Sequence, residues 1–235
     1  MKLPNNSFRR FLFAGILVVS FMAANALAGP PLICHSFDID GAKSLPWVSH
    51  DWNLSGGENY DTSKLVTDTI AILDSSQVTL VHMETLRRAT LYARKDRAAA
   101  SELIARLISR AEGAKSAAPT TAQPNALAIF DAGYLAEVYK QWLGEGSKNP
   151  ANGMDGYALV KKAIQVKGDA QMEFAAALIT LGGPGAEHEA HAAKALAGAK
   201  TDQLLAQNLN SHFLGRSQTM AEMITRGPET KVAKQ

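Results

Sequence analysis

Along residues 125–181 apolar side chains recur at intervals of three and four. Leu127, Phe130, Tyr134, Val138 and Trp142 form one stripe. Tyr157, Val160, Ala163 and Ile164 form a second, and Met172, Ala175, Ala176 and Ile179 a third. Such spacing places each set on one face of a helix that must be buried, and it predicts helices over 125–142, 152–166 and 170–181. Upstream, Asp61 is a side-chain N-cap for a helix over 61–73 with Leu65, Val66, Thr69, Ile70, Ile72 and Leu73 on a wide apolar face. Residues 78–94 carry Met83, Leu86, Thr90 and Ala93 on one face, although their β-branched start makes a strand over 77–81 a competing expectation. Asp96 caps 97–111, whose stripe is Ala100, Leu103, Leu107 and Ala111. Downstream of Gly182-Gly183-Pro184 an alanine-rich helix spans 186–199. Thr201 or Asp202 caps a last helix bearing Leu204, Leu205, Leu209 and Phe213, which Met220, Met223 and Ile224 extend.

The pattern is different at the two ends and once in between. Residues 29–60 have no helical period and hold Pro30, Pro31, Gly41, Pro46, Gly56 and Gly57, which break or turn the chain. They also hold Phe37, Ile39, Trp47 and Trp52, too apolar for a free tail. The expectation is an ordered, extended arm lying over the helices, with a short strand at 36–39 as an option. Residues 112–124 read as a small, polar, proline-bearing linker and the best sub-boundary. After Gly227-Pro228, residues 227–235 read as a disordered tail. The chain thus divides into a leader over 1–28, an arm over 29–60 and a helical domain over 61–226. About eight helices with short turns predict an all-α fold of antiparallel hairpins, either stacked as a repeat array or closed into a compact bundle.

Charge and cysteine content change the picture in two ways. Lys2, Arg9 and Arg10 precede an uncharged apolar run and an Ala26-Leu27-Ala28 site, the layout of a secretory signal cleaved before Gly29; an uncleaved anchor is the alternative. An exported chain, periplasmic or secreted, is expected, with no membrane span after cleavage. Removing residues 1–28 takes away those three basic residues and no acid, leaving 21 basic against 22 acidic side chains and a net charge of −1. No run of like charge remains, which argues against nucleic acid as a main partner. The single cysteine, Cys34, allows no internal disulfide, so helix packing alone must hold the fold. A Cys34-linked homodimer is one use of the thiol; Ile33 before it does not suit lipid attachment.

One stretch resembles a known family. Gly168-Asp169-Ala170-Gln171-Met172-Glu173-Phe174-Ala175 is similar to the junction of Sel1-like repeats, where a helix ends in glycine and the next opens with small residues and an aromatic. Leu135, Ala136 and Tyr139 match the spacing of a tetratricopeptide-type first helix. The resemblance covers roughly 126–209. It implies a right-handed helical stack used for protein binding; the later alanine and proline positions are out of register.

No catalytic set stands out. Cys34 and His35, with Asp38 and Asp40 beyond them, are the densest group of metal or redox side chains, but neighbours in an extended chain point to opposite sides, and the alternative is a buried thiol beside a capping imidazole. No other cofactor is expected. His188 and His191 in Glu187-His188-Glu189-Ala190-His191 are three apart, not the four a metalloprotease box needs, and read as a solvated helix start. Glu84 with Arg87 or Arg88 reads as a surface ion pair, and His82 with Glu84 does not share a face. Tyr134, Tyr139, Trp142 and Tyr157 line either a ligand groove or, more in keeping with helical spacing, the core. The expectation is a module that binds a protein partner or directs assembly through Tyr134, Glu137, Lys140, Gln141 and Glu173, with a metal or redox site at Cys34 and His35, or a structural envelope role, as rivals.

Overall fold

A computed structural model of the chain describes residues 30–48, 54, 56–57, 59–116, 125–181 and 185–213. The expected leader over 1–28, the tail over 227–235 and the extension around Met220 lie outside them. The described residues form eight α-helices: α1 (Leu65–Ser75), α2 (Thr79–Ala93), α3 (Arg97–Ser116), α4 (Ala126–Leu143), α5 (Gly156–Val166), α6 (Ala170–Ile179), α7 (Gly185–Gly198) and α8 (Gln203–Phe213). No strand occurs among them, so the fold is all-α. None of these helices is long and apolar enough to cross a membrane.

Short acidic and amide side chains set the helix starts. Asn125, Asp155 and Asp169 accept N–H groups of the first turns of α4, α5 and α6, and Asp96 and Asp202 do the same for α3 and α8; each satisfies a donor that the helix cannot. The strand option at 77–81 fails, because α2 begins at Thr79 and the Leu80 N–H in its first turn finds a partner elsewhere in the fold. α2 has no cap of its own, but Gln171 Oε1 accepts the Leu80 N–H (2.9 Å) and Asp169 accepts the Thr79 hydroxyl (3.0 Å). The junction singled out at 168–175 thereby docks on the start of α2. α3 continues to Ser116, so the first residues of the expected linker are helical; 117–124 lie outside the described residues.

Three helices make the interior. α4 is buried continuously from Ala126 to Tyr139, α2 is buried except at Arg88 and Tyr92, and α6 is buried from Met172 to Leu178. A helix buried all round needs apolar or paired side chains on every face. α2, α4 and α6 touch one another, and α1, α3, α5, α7 and α8 pack around them. Tyr134 and Tyr139 are core residues, Tyr139 donating its hydroxyl to the Ala100 carbonyl (3.1 Å). Trp142 and Tyr157 are half-buried.

Residues 30–48 of the expected arm lie against the helices without forming a strand. Leu32, Ile33, Phe37, Ile39 and Leu45 enter the core cluster while Asp38 and Asp40 face solvent. Asp40 (φ 51°) and Gly41 (φ 69°) then reverse the chain, closed by Ala42 N–H to the Ile39 carbonyl (3.0 Å). Two successive residues with positive φ match a mirror-image turn, which asparagine, aspartate and glycine tolerate best.

Candidate functional site

An extended chain carries unpaired amides and carbonyls, and inside a protein each needs a partner. No neighbouring strand among the described residues serves the arm. Side chains from three helices do. Gln141 of α4 accepts the Leu32 N–H (2.9 Å). Arg87 of α2 donates its Nε–H to the Ile33 carbonyl (2.7 Å). Glu84 of α2 accepts the Phe37 N–H (2.9 Å). Asn208 of α8 grips Asp38 twice, accepting its N–H on Oδ1 and donating Nδ2–H to its carbonyl, both at 2.9 Å. Farther along, Arg88 donates to the Leu45 carbonyl (2.6 Å), and the hydroxyls of Ser44 and Thr85 are 2.9 Å apart. The primary amide and the guanidinium are suited to this work because they present donors in fixed planar geometry.

The centre of the groove is a buried charge cluster. Glu84 and Arg87 are both 0% exposed and pair at 3.1 Å, while Arg88 Nε reaches the same carboxylate at 2.7 Å. The surface ion pair expected from the i, i+3 and i, i+4 spacing is therefore an interior one, because the arm lies across what would have been the outer face of α2. Trp47 stacks over the Arg87 guanidinium, 5.4 Å from its carbon to the ring centre. Arg87 Nη2, the Tyr134 hydroxyl and His212 Nε2 are buried without a hydrogen-bond partner among the described residues. Tyr134 feels both Glu84 and Arg87, and burial holds its hydroxyl well above the ordinary phenol range.

Phe37 occupies an aromatic slot. His212 stacks on it at 4.8 Å and Phe174 meets it edge-on at 6.1 Å. Burial pushes the His212 imidazole down to about 4, with the charges of His35 and Arg87 acting in the same sense and the Asn208 carbonyl against it. The folded state therefore resists protonation that the unfolded chain accepts near pH 6.5. Stability carried by this group is complete above pH 6.5 and is lost as pH falls from 6.5 towards 4, with no further loss below. Thermal unfolding should show that decline, and His212→Phe should flatten it while keeping the ring against Phe37.

The other sequence candidates fall elsewhere. Cys34 is half-buried at a turn closed on the Pro30 carbonyl. Burial raises its thiol despite the positive charge of Arg87, which disfavours the thiolate that a disulfide to a second copy requires. His35 is lowered by burial and by Arg87, and its ring lies 5.4 Å from that of His212. Asp38 and Asp40 are turned outward, and no group of three or more candidate ligands that could hold a metal ion occurs among the described residues. Of the residues expected to bind a partner, Gln141 touches the arm and Tyr134 lies in the field of the Glu84 and Arg87 charges. Glu137 and Lys140 are 3.2 Å apart, and Glu137 accepts the Tyr157 N–H (3.1 Å), so that pair braces α4 against α5. Glu173 is buried, bonded to His191 and to Lys194 (3.0 Å). His191 is thus not on a solvated face, and His188 turns to the Ala177 carbonyl (2.9 Å).

Sequence reasoning missed Asn208 and Tyr92, whose hydroxyl donates to the Pro46 carbonyl, and, away from the arm, the pairing of His82 with Asp131. His82 Nδ1 meets Asp131 at 2.7 Å and Nε2 meets the Ser76 carbonyl at 3.1 Å, so both nitrogens face acceptors. Burial opposes the charge on this ring, yet Asp131 and the Ser76 carbonyl outweigh it and raise the imidazole. Both ring nitrogens are committed to stability. The groove hydrogen-bonds the main chain of the protein's own arm and seats the Phe37 ring. Compared with family models, with curated proteins and with solved structures, the chain finds no match.

Proposed function

We propose that the chain is an exported, non-catalytic binding or assembly module whose helices stack as hairpins around a groove for extended polypeptide. One observation carries this reading: residues 32–46 are held through their main chain by Gln141, Arg87, Glu84, Asn208, Arg88 and Tyr92. The segment's side chains Leu32, Ile33, Phe37, Ile39 and Leu45 are buried as well, so the body holds it by main chain and side chains together. A groove that grips amides and carbonyls accepts a segment by its conformation and asks only for a few side chains, here an aliphatic pair followed by an aromatic. The arm occupies that groove as a ligand in cis, and a net charge near −1 after leader removal argues against a nucleic acid as the main partner.

The test separates arm from body without removing it. A protease site within residues 50–55 lets the folded protein be cut, after which a fluorescent peptide of residues 30–48 is added in excess. The peptide should exchange into the groove with saturable anisotropy, and Asn208→Ala, which deletes two hydrogen bonds, should weaken it roughly tenfold. If the cut protein binds no peptide, or unfolds as the arm leaves, the arm is core and the reading is wrong.

A further inference from the structure

The arm joins the body in two separable ways. From Leu32 to Leu45 the bonds run from side chains of the body to the arm, and they are indifferent to which chain supplies it. Beyond Leu45 the chain has to return to α1, and Tyr92 fixes that return. Its hydroxyl donates to the Pro46 carbonyl and accepts the Gly57 N–H (2.7 Å), so the two ends of residues 47–56 meet on one oxygen atom. The Tyr92 ring is wedged between Tyr60, at 4.6 Å, and Trp47, at 6.0 Å. Gly56 lies against the same ring so closely that a Cβ there would stand 2.2 Å from Cε1.

Closing ten residues on one point costs chain entropy. The same ten residues drawn out reach roughly 35 Å, about the width of a small domain, and can carry the arm to an adjacent body. Tyr92 keeps both of its bonds in that arrangement, to Pro46 of the incoming arm and to Gly57 of its own chain. Every contact of residues 32–46 is remade; those that Trp47 and Gly56 make with Arg87 and Tyr92 are the ones put at stake. Exchange of an identical element is a low-cost route to a dimer, and once one arm has crossed, the second returns at an effective concentration in the millimolar range. A second copy also carries, by construction, the aliphatic pair Leu32-Ile33 and the aromatic Phe37 that the groove accommodates.

Resting on the reading of the groove as a polypeptide site, we propose that its partner is a second copy of this chain, and that two copies assemble by exchanging residues 30–46.

Ser44 and Thr85 provide the test, because their hydroxyls touch across the arm and α2 and Thr85 is fully buried. Full-length Ser44→Cys and Thr85→Cys chains, each carrying Cys34→Ser, are mixed at concentrations up to the millimolar range, incubated and then oxidised. A new thiol at position 85 is reachable only from within the groove. Exchange yields a disulfide-linked heterodimer in large excess over either homodimer, increasing with concentration before oxidation. The double variant Ser44→Cys/Thr85→Cys, kept dilute, shows by closing its bond within one chain that the geometry and the fold survive substitution. An intrachain bond in the double variant with no heterodimer in the mixture at any concentration overturns exchange. Peptide uptake by the cut protein in that case leaves the groove reading standing with a different partner, whereas failure of both removes the groove as well.

Discussion

Replacing Glu84 by alanine should destabilise the protein by about 3–5 kcal/mol, the range found when one member of a buried ion pair is removed. Three donors converge on this carboxylate: Phe37 N–H at 2.9 Å, Arg87 Nη1 at 3.1 Å and Arg88 Nε at 2.7 Å. Alanine leaves the Phe37 amide unpaired and the Arg87 guanidinium, wholly enclosed, without its counter-charge. The loss from the attraction itself is modest, because bringing the pair out of water already cost much of it; the penalty comes from the charge left behind. Domains of this size have about 5–15 kcal/mol of stability in total, so urea unfolding should move by a large fraction of the transition. Arg88→Ala should cost less, since Glu84 keeps its pairing with Arg87 and the guanidinium removed was already partly hydrated. The arm should also become sensitive to protease before the body unfolds. A Glu84→Ala protein within about 1 kcal/mol of the parent, with an arm still resistant, would mean that the cluster does not anchor it.

The path of the arm explains which features could be read from the chain and which could not. Local signals were legible. Asp96 and Asp202 stand at the starts of α3 and α8 as expected, because a capping side chain acts within three residues of itself; Asp61 caps only the short turn before α1, which begins at Leu65. The stripe from Leu127 to Val138 identified a buried helix because periodicity is a property of one segment. What depends on two segments meeting was not legible. Glu84, Arg87 and Arg88 have the spacing of a solvated helix face, and nothing nearby in sequence states that residues 32–45 will cover them. A weaker signal was present: Leu80, Val81, Met83, Leu86, Ala89 and Leu91 leave α2 no wholly polar side, which is the mark of a buried helix. Glu187 to His191 misled in the same way. His191 pairs with Glu173 on α6, eighteen residues earlier, and that pairing is set by how α7 folds back on α6. Asn208 carries no local signal of its own; the arm lying across α8 gives its amide a task.

Gly133→Ala tests the opposite kind of contact, one made by the absence of a side chain. Glycine in the middle of a helix is unfavourable by about 1 kcal/mol relative to alanine, so on intrinsic grounds the substitution should stabilise α4. The crossing of α4 and α5 reverses the sign. A Cβ on Gly133 would lie 2.6 Å from the Gly156 carbonyl oxygen, 2.7 Å from Leu159 Cβ and 2.9 Å from Val160 N. Gly156 is similarly confined, its Cβ falling 2.5 Å from the Gly133 carbonyl oxygen and 2.8 Å from Glu137 Oε1. Two of the three obstacles around Gly133 are backbone atoms, which cannot rotate away, so α5 must move as a body. That motion also stretches the Glu137 bond to the Tyr157 N–H, 3.1 Å long at rest. A net destabilisation of about 2–3 kcal/mol is expected, towards the upper end of the usual cost of overpacking. Gly113→Ala on α3 is the matched control, since a Cβ there meets nothing within 4 Å, and it should stabilise by up to about 1 kcal/mol. Opposite signs in denaturant unfolding would place the effect in the crossing rather than in helix propensity. If both substitutions stabilise, the close approach of α4 and α5 is not a constraint, and the spacing of the central helices must be set by the side chains around it.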